Sequence, residues 1–326
     1  MKKVLIIGAT GSTGLYLTKH LNEKGYNVIA TGYKQRNLEF YKEKSIEYIA
    51  VDISLKEDFY KLPTDVDCIV LLAGMMPARM EGYNPYKYIT INTMGTLNTL
   101  ECCRIHKIPK IIFAQSHSDV FGHWNTGEYI KDNANRILNY KGDHAVYIIS
   151  KCAAVDLIEH YHQEYELQSI IFRLPTIYSY MPENAIYMNG KKTSIAYLTF
   201  IEKAIAGEPI EIWGDPNIVK DIVYVKDFIQ MIEKAINSET AQGIYNVGTG
   251  IPTTLEEQIK GVIEVFCEPG HKSKIIYCPD KPSQTSYLYD VSKAKKELQY
   301  KVMYPYIEML KDMKNEMNNP WFKNII

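Results

Sequence analysis

The fold is decided near the N-terminus by Val4-Leu5-Ile6-Ile7-Gly8-Ala9-Thr10-Gly11-Ser12-Thr13-Gly14. The first four residues are apolar, as in a strand that is buried on both faces of a sheet. Residues 12–24 then carry apolar side chains at helical spacing, and Gly25 ends that pattern. A strand, a glycine-rich turn and a helix N-terminus in this order bring backbone N–H groups to a pyrophosphate. We therefore predict dinucleotide binding here, in preference to an ordinary tight turn.

Strand and helix patterns alternate through the first half of the chain. Further strands are predicted at 27–31, 46–51, 68–72, 110–115 and 168–173, and long helices at 85–106 and 145–165. This alternation predicts an α/β fold with a Rossmann-type, doubly wound parallel sheet. After Arg173 the pattern becomes irregular and rich in proline and glycine, which indicates a smaller mixed α/β C-terminal lobe. We expect residues 1–175 to bind the dinucleotide and residues 176–326 mainly to bind substrate, with some segments returning to the first domain.

Composition excludes several classes of protein. The 326 residues include 37 basic and 38 acidic side chains, so no strong positive field attracts nucleic acid. No apolar run approaches the roughly 20 residues of a membrane span, and no export signal is evident. The six cysteines form no CxxC pair, and we interpret them as reduced thiols of a cytoplasmic protein. No metal site is predicted.

The end of the second strand bears on the choice of cofactor. NAD sites usually carry an acidic residue there, which binds the ribose 2′-hydroxyl. This chain has Gly32-Tyr33-Lys34-Gln35-Arg36 instead, without an acid and with two cations. Lys34 and Arg36 are therefore predicted to bind a 2′-phosphate, which favours NADP, with NAD as the alternative. The two cations could also simply begin a solvated helix.

A candidate acid/base pair lies on the second long helix. Tyr147 and Lys151 are four residues apart, so the phenol and the ammonium share one face. An ammonium nearby favours the phenolate and is expected to lower the pKa of Tyr147. A chain with 26 tyrosines produces this spacing by chance as well. The position after a strand that ends in Gln115-Ser116-His117-Ser118 makes catalysis the preferred interpretation.

These motifs together resemble a known family, the extended short-chain dehydrogenases/reductases. The resemblance is to the NAD(P)-dependent epimerase/dehydratase branch that acts on nucleotide sugars, and it spans nearly the whole chain. The motifs that carry it are the glycine turn, Val51-Asp52-Ile53, Leu72-Ala73-Gly74, Asn92-Thr93-Met94-Gly95-Thr96, Ser116, Tyr147 with Lys151, Phe172-Arg173-Leu174-Pro175, residues 220–227 and Tyr245-Asn246-Val247-Gly248.

The resemblance implies a role for each matching residue. Tyr147 is the acid/base, and Lys151 binds the nicotinamide ribose and tunes the phenol. The implied cofactor contacts are Gly8, Gly11, Ser12, Thr13 and Gly14 at the pyrophosphate, Asp52 and Ile53 at the adenine, and Ala73, Gly74, Asn92, Pro175 and Thr176 on the nicotinamide side.

Two counts along the chain place the third catalytic residue differently, because the loop after the fifth strand carries one extra residue. Counting from the strand start at Lys110 places the family's serine or threonine at Ser116. Counting back from Val120-Phe121-Gly122 places it at His117. We prefer Ser116, since a loop absorbs an insertion more easily than a strand end does. His117 and Ser118 remain alternatives and are expected to contact the substrate.

Three departures from the family pattern concern the substrate. Dehydratases of the family carry Thr-Asp-Glu where this chain has Ser-His-Ser-Asp, and the missing glutamate disfavours dehydration. Lys220 and Lys281 replace family arginines at the diphosphate, where lysine acts as a point charge. Trp213 lies where family members meet the nucleobase and could stack on it, or could be a core aromatic.

We therefore predict a nucleotide-sugar epimerase. The proton of the sugar 4-hydroxyl passes to Tyr147, the C4 hydride passes to the nicotinamide, and the 4-keto sugar is reduced on its other face. The alternatives are an NADP-dependent reductase or a dehydratase of a keto or nucleotide sugar. A non-catalytic NADP sensor is disfavoured by the intact Tyr147/Lys151 pair. The resemblance and the apolar residues of both long helices predict a homodimer.

Overall fold

The computed structural model describes residues 1–34, 38–181, 185–188 and 190–318. The strands are β1 (Lys3–Ile7), β2 (Asn27–Gly32), β3 (Glu47–Ala50), β4 (Cys68–Leu71), β5 (Lys110–Ser116), β6 (Tyr129–Ile130), β7 (Gln168–Leu174), β8 (Ile177–Tyr178), β9 (Ala185–Met188), β10 (Lys191–Ser194), β11 (Ile210–Trp213), β12 (Val219–Asp221), β13 (Val223–Tyr224), β14 (Gly243–Asn246), β15 (Pro252–Thr254), β16 (Ile275–Cys278) and β17 (Leu288–Tyr289).

Helices cover both faces of the main sheet. The α-helices are α1 (Ser12–Glu23), α2 (Leu38–Glu43), α3 (Pro85–Lys87), α4 (Gly95–His106), α5 (His144–Tyr165), α6 (Ala196–Ala206), α7 (Val225–Asn237), α8 (Leu255–Phe266), α9 (Ser292–Glu297) and α10 (Tyr306–Met317). A π-helical stretch, Tyr88–Met94, joins α3 to α4, and a 3₁₀ segment, His117–His123, follows β5.

Seven parallel strands of the described chain form one sheet in the order β3-β2-β1-β4-β5-β7-β14. Strand β1 shows why the sheet is buried on both faces. Val4 and Ile6 belong to one hydrophobic cluster, and Leu5 and Ile7 belong to the other. Successive side chains of a strand point to opposite faces, so a fully apolar run fills both layers of the core.

The order of the strands positions the candidate site. The chain leaves β1 for β2 on one side, and later returns to β4 on the other side of β1. Connections that diverge from one strand open a crevice at the carboxyl ends of the strands, where ligands of such sheets bind. Gly8 after β1 and Ala73 after β4 meet at this crevice, and Ala73 N donates to Ile7 O at 2.9 Å.

The doubly wound α/β prediction is confirmed, and the structure adds two features. The seventh strand, β14, comes from the C-terminal half and pairs with β7 from Gly243↔Ile170 to Asn246↔Arg173. The predicted helix 85–106 contains the π-helical stretch, which the apolar spacing did not reveal. Other C-terminal strands form small pairs outside the sheet, including β11 with β16 and β12 with β15.

Two further findings concern the environment of the chain. All six cysteines are free thiols in the structure. Within the described ranges, no helix combines the length and the apolar character that crossing a membrane requires.

Candidate active site

The glycine turn is shaped by backbone that leaves no room for side chains. A Cβ atom on Gly14 would lie 2.2 Å from Gly8 O, and one on Gly8 would lie 2.6 Å from Ala73 N. Gly8 also has φ +98°, a conformation that side chains disfavour. These two glycines therefore let β1, α1 and the chain after β4 approach one another closely.

The start of α1 is suited to an anion. Its N-cap, Gly11, has no side-chain cap, and the first helical turn, all of it described, contains no acidic residue. A Cβ on Gly11 would touch only Gly8 O, at 3.5 Å, so space lies open above the turn. Free N–H groups and the positive end of the helix dipole then face that space. The residues fit a pyrophosphate, with Ser12 Oγ further fixed by Ser179 Oγ at 3.1 Å.

The end of β2 carries no carboxylate, and the side-chain ends of Tyr48 and Thr10 occupy the space beside Gly32. A Cβ on Gly32 would lie 2.5 Å from the Tyr48 hydroxyl and 2.7 Å from Thr10 Cγ2. The Tyr48 hydroxyl also donates to Lys34 O at 2.5 Å, which fixes the chain that follows the strand. Lys34 is exposed. Arg36, the second predicted cation, lies outside the described residues.

The predicted adenine contacts belong to a rigid turn after β3. Asp52 Oδ1 accepts hydrogen bonds from Ser54 N at 2.9 Å and Ser54 Oγ at 2.6 Å. Ile53 is buried against Gly95 of α4, where a Cβ would lie 2.7 Å from its side chain. The carboxylate of Asp52 thus holds the turn, and contact of this turn with adenine stays a prediction.

Asn92 connects three elements beside the crevice. Its amide accepts from Met75 N at 2.7 Å, donates to Met75 O at 2.9 Å, and donates to Ser150 Oγ at 3.0 Å. Ser150 in turn donates to Tyr147 O at 2.6 Å. The predicted nicotinamide-side residues Ala73 and Gly74 precede Met75 directly, so Asn92 ties their loop to the helix that carries Tyr147.

The structure brings Tyr147 and Ser116 together. Burial raises the pKa of the Tyr147 phenol above its ordinary value, and a hydrogen bond with Ser116 opposes that rise. Ser116 is the last residue of β5 and lies opposite Leu174 of β7, so it lies at the carboxyl edge of the sheet. This contact supports Ser116 as the third catalytic residue.

Lys151 differs from the expectation based on spacing. Its ammonium donates to Ala114 O and lies 3.9 Å from the centroid of the Phe113 ring. Burial lowers the pKa of Lys151 to about 7. Lys151 is not among the described groups that shift the pKa of Tyr147, so the expected lowering of that pKa by its ammonium is not observed. Helical spacing placed both groups on one face, but β5 supplies closer partners for the ammonium.

His117 is directed toward the C-terminal half of the chain. Its Nδ1 lies 2.7 Å from the Tyr289 hydroxyl, and its ring packs 4.5 Å from Trp124 and 4.9 Å from Tyr287, centroid to centroid. Burial lowers the pKa of His117 to about 3, with Lys220 adding to the effect. His117 is therefore a neutral packing residue at neutral pH. Ser118, the other alternative, hydrogen-bonds Ser116 at 3.3 Å.

A buried ion pair fixes the loop that carries Ser116. Arg173 Nε lies 3.0 Å from Asp119 Oδ1, and both side chains are 1% exposed. Arg173 also donates to Asn246 Oδ1 at 3.0 Å, which links β7, β14 and the 3₁₀ segment. Of the two remaining nicotinamide-side residues, Pro175 is buried and Thr176 is exposed and hydrogen-bonded to Tyr287.

The predicted substrate residues of the C-terminal half lie in two places. Trp213 is 47% exposed, so it is not a core aromatic. Lys281 lies 4.3 Å from its ring centroid and 2.6 Å from Glu211, which also accepts from Trp213 Nε1. Lys220 instead donates to Gln284 at 2.5 Å, and burial lowers its pKa to about 8.

Sequence reasoning missed two residues beside Tyr147. Ser150 is fully buried in the network with Asn92, and Tyr88 packs its ring 6.0 Å from that of Tyr147. The one sequence signal for Tyr88 is its position four residues before Asn92, and this is weak in a tyrosine-rich chain. Among the residues that the structure describes, no group of three or more His, Cys, Asp or Glu side chains could hold a metal ion.

Comparisons with known proteins agree with this geometry. A putative UDP-glucose 4-epimerase of Methanocaldococcus jannaschii is 28% identical over 323 residues, covering 98% of both chains. The UDP-glucose 4-epimerase of Thermus thermophilus, solved in complex with NAD, matches with a TM-score of 0.76 at 21% identity, covering 98% of this chain and 99% of that one. The dTDP-glucose 4,6-dehydratase of Bacillus anthracis str. Ames, also in complex with NAD, matches with a TM-score of 0.76 at 18% identity over 100% of both chains.

One sequence family covers most of the chain. The profile of the NAD dependent epimerase/dehydratase family matches residues 4–248, from the first strand through the strand β14 that completes the sheet. The same span contains the glycine turn, Ser116, Tyr147 and Lys151. The chain therefore belongs to the NAD-dependent epimerase/dehydratase family of extended short-chain dehydrogenases/reductases and is an enzyme of that family.

Proposed function

We propose that the enzyme is a nucleotide-sugar epimerase that works through a 4-keto sugar. The observation that carries this proposal is that Ser116 is near enough to the Tyr147 phenol to lower its pKa, at the sheet edge that also bears the glycine turn. A phenol that exchanges a proton with a sugar hydroxyl is the acid/base that such a reaction needs. The relatives named as UDP-glucose 4-epimerases support the nucleotide-sugar class.

Each residue of the site has its own role in the proposed reaction. The phenolate form of Tyr147 takes the proton of the sugar 4-hydroxyl as the C4–O bond becomes a carbonyl, and the resulting phenol returns it when the carbonyl is reduced. Ser116 donates a hydrogen bond to the reacting oxygen or to the phenol. A bound nicotinamide cofactor supplies the acceptor and donor of the C4 hydride. The glycine turn and the start of α1 hold its pyrophosphate, and Lys151 is positioned by Ala114 to contact its ribose.

The position of Asp119 favours epimerisation over dehydration. Eliminating water requires an acid beside the sugar in addition to the phenol. In the segment 116–123, all of which is described, the single acidic residue is Asp119, and it is buried against Arg173. This segment therefore offers no carboxylic acid for elimination, although one of the matched structures is a dehydratase.

Product analysis tests the epimerase proposal. UDP-glucose and dTDP-glucose are incubated with the enzyme and cofactor, and inversion at C4 is followed by NMR. Tyr147→Phe should keep cofactor binding and lose about 10²–10⁴-fold in turnover, because it removes the proton carrier. Consumption of cofactor in step with product would establish the alternative, a reductase. A Tyr147→Phe variant with more than half of the wild-type rate would overturn the acid/base assignment.

For the cofactor we propose a preference for NADP over NAD. Gly32 stands where an acid would bind a ribose 2′-hydroxyl, side-chain ends of Tyr48 and Thr10 fill the space beside it, and Lys34 follows it at the surface. Arg36 adds a second cation by sequence. Titration of both cofactors into Lys34→Ala and Arg36→Ala should show a larger loss for NADP, since only NADP carries the extra phosphate. Equal losses for both cofactors, or tighter NAD binding by the wild type, would contradict the preference.

The C-terminal residues are proposed to hold the nucleotide of the substrate. Trp213 presents an exposed indole with a cation on its face, which suits stacking of a nucleobase beside the charge of Lys281. Lys220, partly buried near His117, is proposed to face the diphosphate. In this proposal the remaining elements after residue 175 form the substrate lobe.

We also propose a homodimer through α4, the π-helical stretch and α5. Ile89, Met94 and Ile149 are large apolar side chains that stay exposed on these neighbouring helices. Other apolar residues of the same two helices fill the core instead, namely Leu100, Val155, Ile158 and Tyr161. Met94→Glu should give monomers in light scattering, since it places a charge in an apolar contact. A monomeric wild type at micromolar concentration would refute the dimer.

A further inference from the structure

Tyr88 is a nearly fully buried tyrosine beside the catalytic phenol. It begins the π-helical stretch Tyr88–Met94, and its side chain is 1% exposed. Its ring lies 6.0 Å from the ring of Tyr147 and 6.4 Å from the ring of Tyr83, centroid to centroid. Stretches of π-helix often occur at functional sites, because the wider turn redirects side chains. The redirected residue here packs its ring edge-on against the ring of Tyr147.

The Tyr88 hydroxyl has no hydrogen-bond partner among the described residues. Among the described residues, two polar side-chain atoms are fully buried without a hydrogen-bond partner, Thr18 Oγ1 and Trp124 Nε1. The Tyr88 hydroxyl is not one of them. Its oxygen therefore keeps contact with open space. A hydroxyl that is accessible and has no protein acceptor is free to donate a hydrogen bond to a ligand.

A cleft opens beside Tyr83, the tyrosine that packs on Tyr88. Tyr83 and Asp143 line an opening of about 460 Å³, together with Gly82, Gly142 and Gly190. A Cβ atom on Gly82 or Gly142 would meet no atom of the described chain within 4 Å, so the walls are open on that side. Asp143 precedes Tyr147 by one helical turn. The cleft thus lies beside two neighbours of the site, Tyr83, which packs on Tyr88, and Asp143, and it has space for the substituents of a sugar ring.

The charge state of Tyr88 makes it a donor. Burial raises its pKa to about 12, with Asp143 as the next contributor. The phenol therefore carries its proton at neutral pH and offers an O–H group rather than a second base. Tyr147 has Ser116 as a partner for its hydroxyl, whereas the Tyr88 hydroxyl has none among the described residues.

We propose that Tyr88 is a specificity-determining residue that donates a hydrogen bond to a hydroxyl group next to the reacting carbon of the sugar. The preferred substrates are then fully hydroxylated hexoses on a nucleoside diphosphate, and sugars deoxygenated beside C4 bind less well. This inference rests on the proposed function and names the part of the substrate that the cleft recognises. Tyr147 exchanges a proton with the C4 oxygen, and Tyr88 donates a hydrogen bond to the hydroxyl group next to C4.

Binding to an inactive background tests the role of Tyr88. Tyr147→Phe is saturated with cofactor and titrated by calorimetry with UDP-glucose, dTDP-glucose, UDP and dTDP. Adding Tyr88→Phe should weaken binding of the sugar nucleotides about 5- to 30-fold, the usual range for one buried hydrogen bond, and leave UDP and dTDP unchanged. The matched control is Tyr161→Phe, which removes a hydroxyl from α5 that bonds Glu101 instead, and should leave sugar binding unchanged.

Ligand analogues give a second measurement that does not depend on the folding of the variant. The 3-deoxy and 6-deoxy analogues of UDP-glucose each lack one candidate hydroxyl. One of the two analogues should bind equally well to the chains with and without the Tyr88→Phe substitution. That analogue already lacks the sugar hydroxyl to which Tyr88 donates. Equal binding of UDP-glucose by both chains would overturn the role of Tyr88 and leave the epimerase proposal intact. Failure of every sugar nucleotide to bind the Tyr147→Phe chain would overturn both.

Discussion

The glycine turn and the segment 116–123 lie at the same edge of one sheet, yet they are built differently. The turn is a site of backbone groups, where absent side chains allow close approach between Gly8, Gly14 and Ala73. The 116–123 segment is a site of side chains, where neighbouring polar residues have different partners. Ser116 contacts Tyr147, whereas His117 contacts Tyr289. A site made of backbone can be predicted from local sequence, whereas a site made of side chains depends on what packs against it.

The largest expected effect tests the side-chain region. Ser116→Ala should lower kcat about 10²-fold, as removal of one hydrogen-bond donor at a reacting oxygen typically does. Ser118→Ala tests the alternative, and it should lose less activity than Ser116→Ala, since Ser118 bonds Ser116 and is not among the described groups that act on the Tyr147 phenol. Steady-state kinetics on the epimerase reaction measures both variants. A larger loss in Ser118→Ala than in Ser116→Ala would reverse the assignment.

In the glycine turn, we expect one substitution to lower stability and another to weaken cofactor binding. Gly14→Ala should lower the free energy of unfolding by about 1–3 kcal/mol, because its Cβ overlaps the backbone at Gly8. Gly11→Ala should leave stability nearly unchanged, since its Cβ makes an ordinary contact, but it should weaken cofactor binding by filling the open space. Denaturant unfolding and cofactor titration measure the two properties. A stable Gly14→Ala chain, or a Gly11→Ala chain with normal cofactor binding, would contradict this model of the turn.

The smallest effect concerns the lysine that lies between the two regions. The pKa of Lys151 falls from its ordinary value to about 7 in the folded chain, so the unfolded state binds more protons above that pH. Its contribution to stability therefore rises with pH, by about 1 kcal/mol between pH 7 and 8. Lys151→Met removes the titration, and its stability relative to wild type should decline over that interval. Unfolding of both cofactor-free chains at pH 7 and 8 checks this, and a difference that is independent of pH would refute it.

Some contacts could not have been predicted from the sequence. The i,i+4 spacing correctly placed Tyr147 and Lys151 on one helix, but it did not show that Ala114 O and Phe113 hold the ammonium. The count from Lys110 selected Ser116, and the hydrogen bond with Tyr147 supports that choice. Tyr88 was not selected, because its significance depends on a π-helical turn and on the neighbouring rings of Tyr83 and Tyr147.

The sequence by itself determined the order of strands and helices in the first half of the chain and the position of the glycine turn. These features follow from interactions between residues close in the chain, such as the apolar run Val4–Ile7 and the glycines after it. Tertiary structure alone decided that β14 joins the sheet beside β7, that Asp119 is held by Arg173, and that Trp213 remains exposed. The physical reason is that burial and partner choice depend on residues distant in sequence, whose approach is set by the packed sheet.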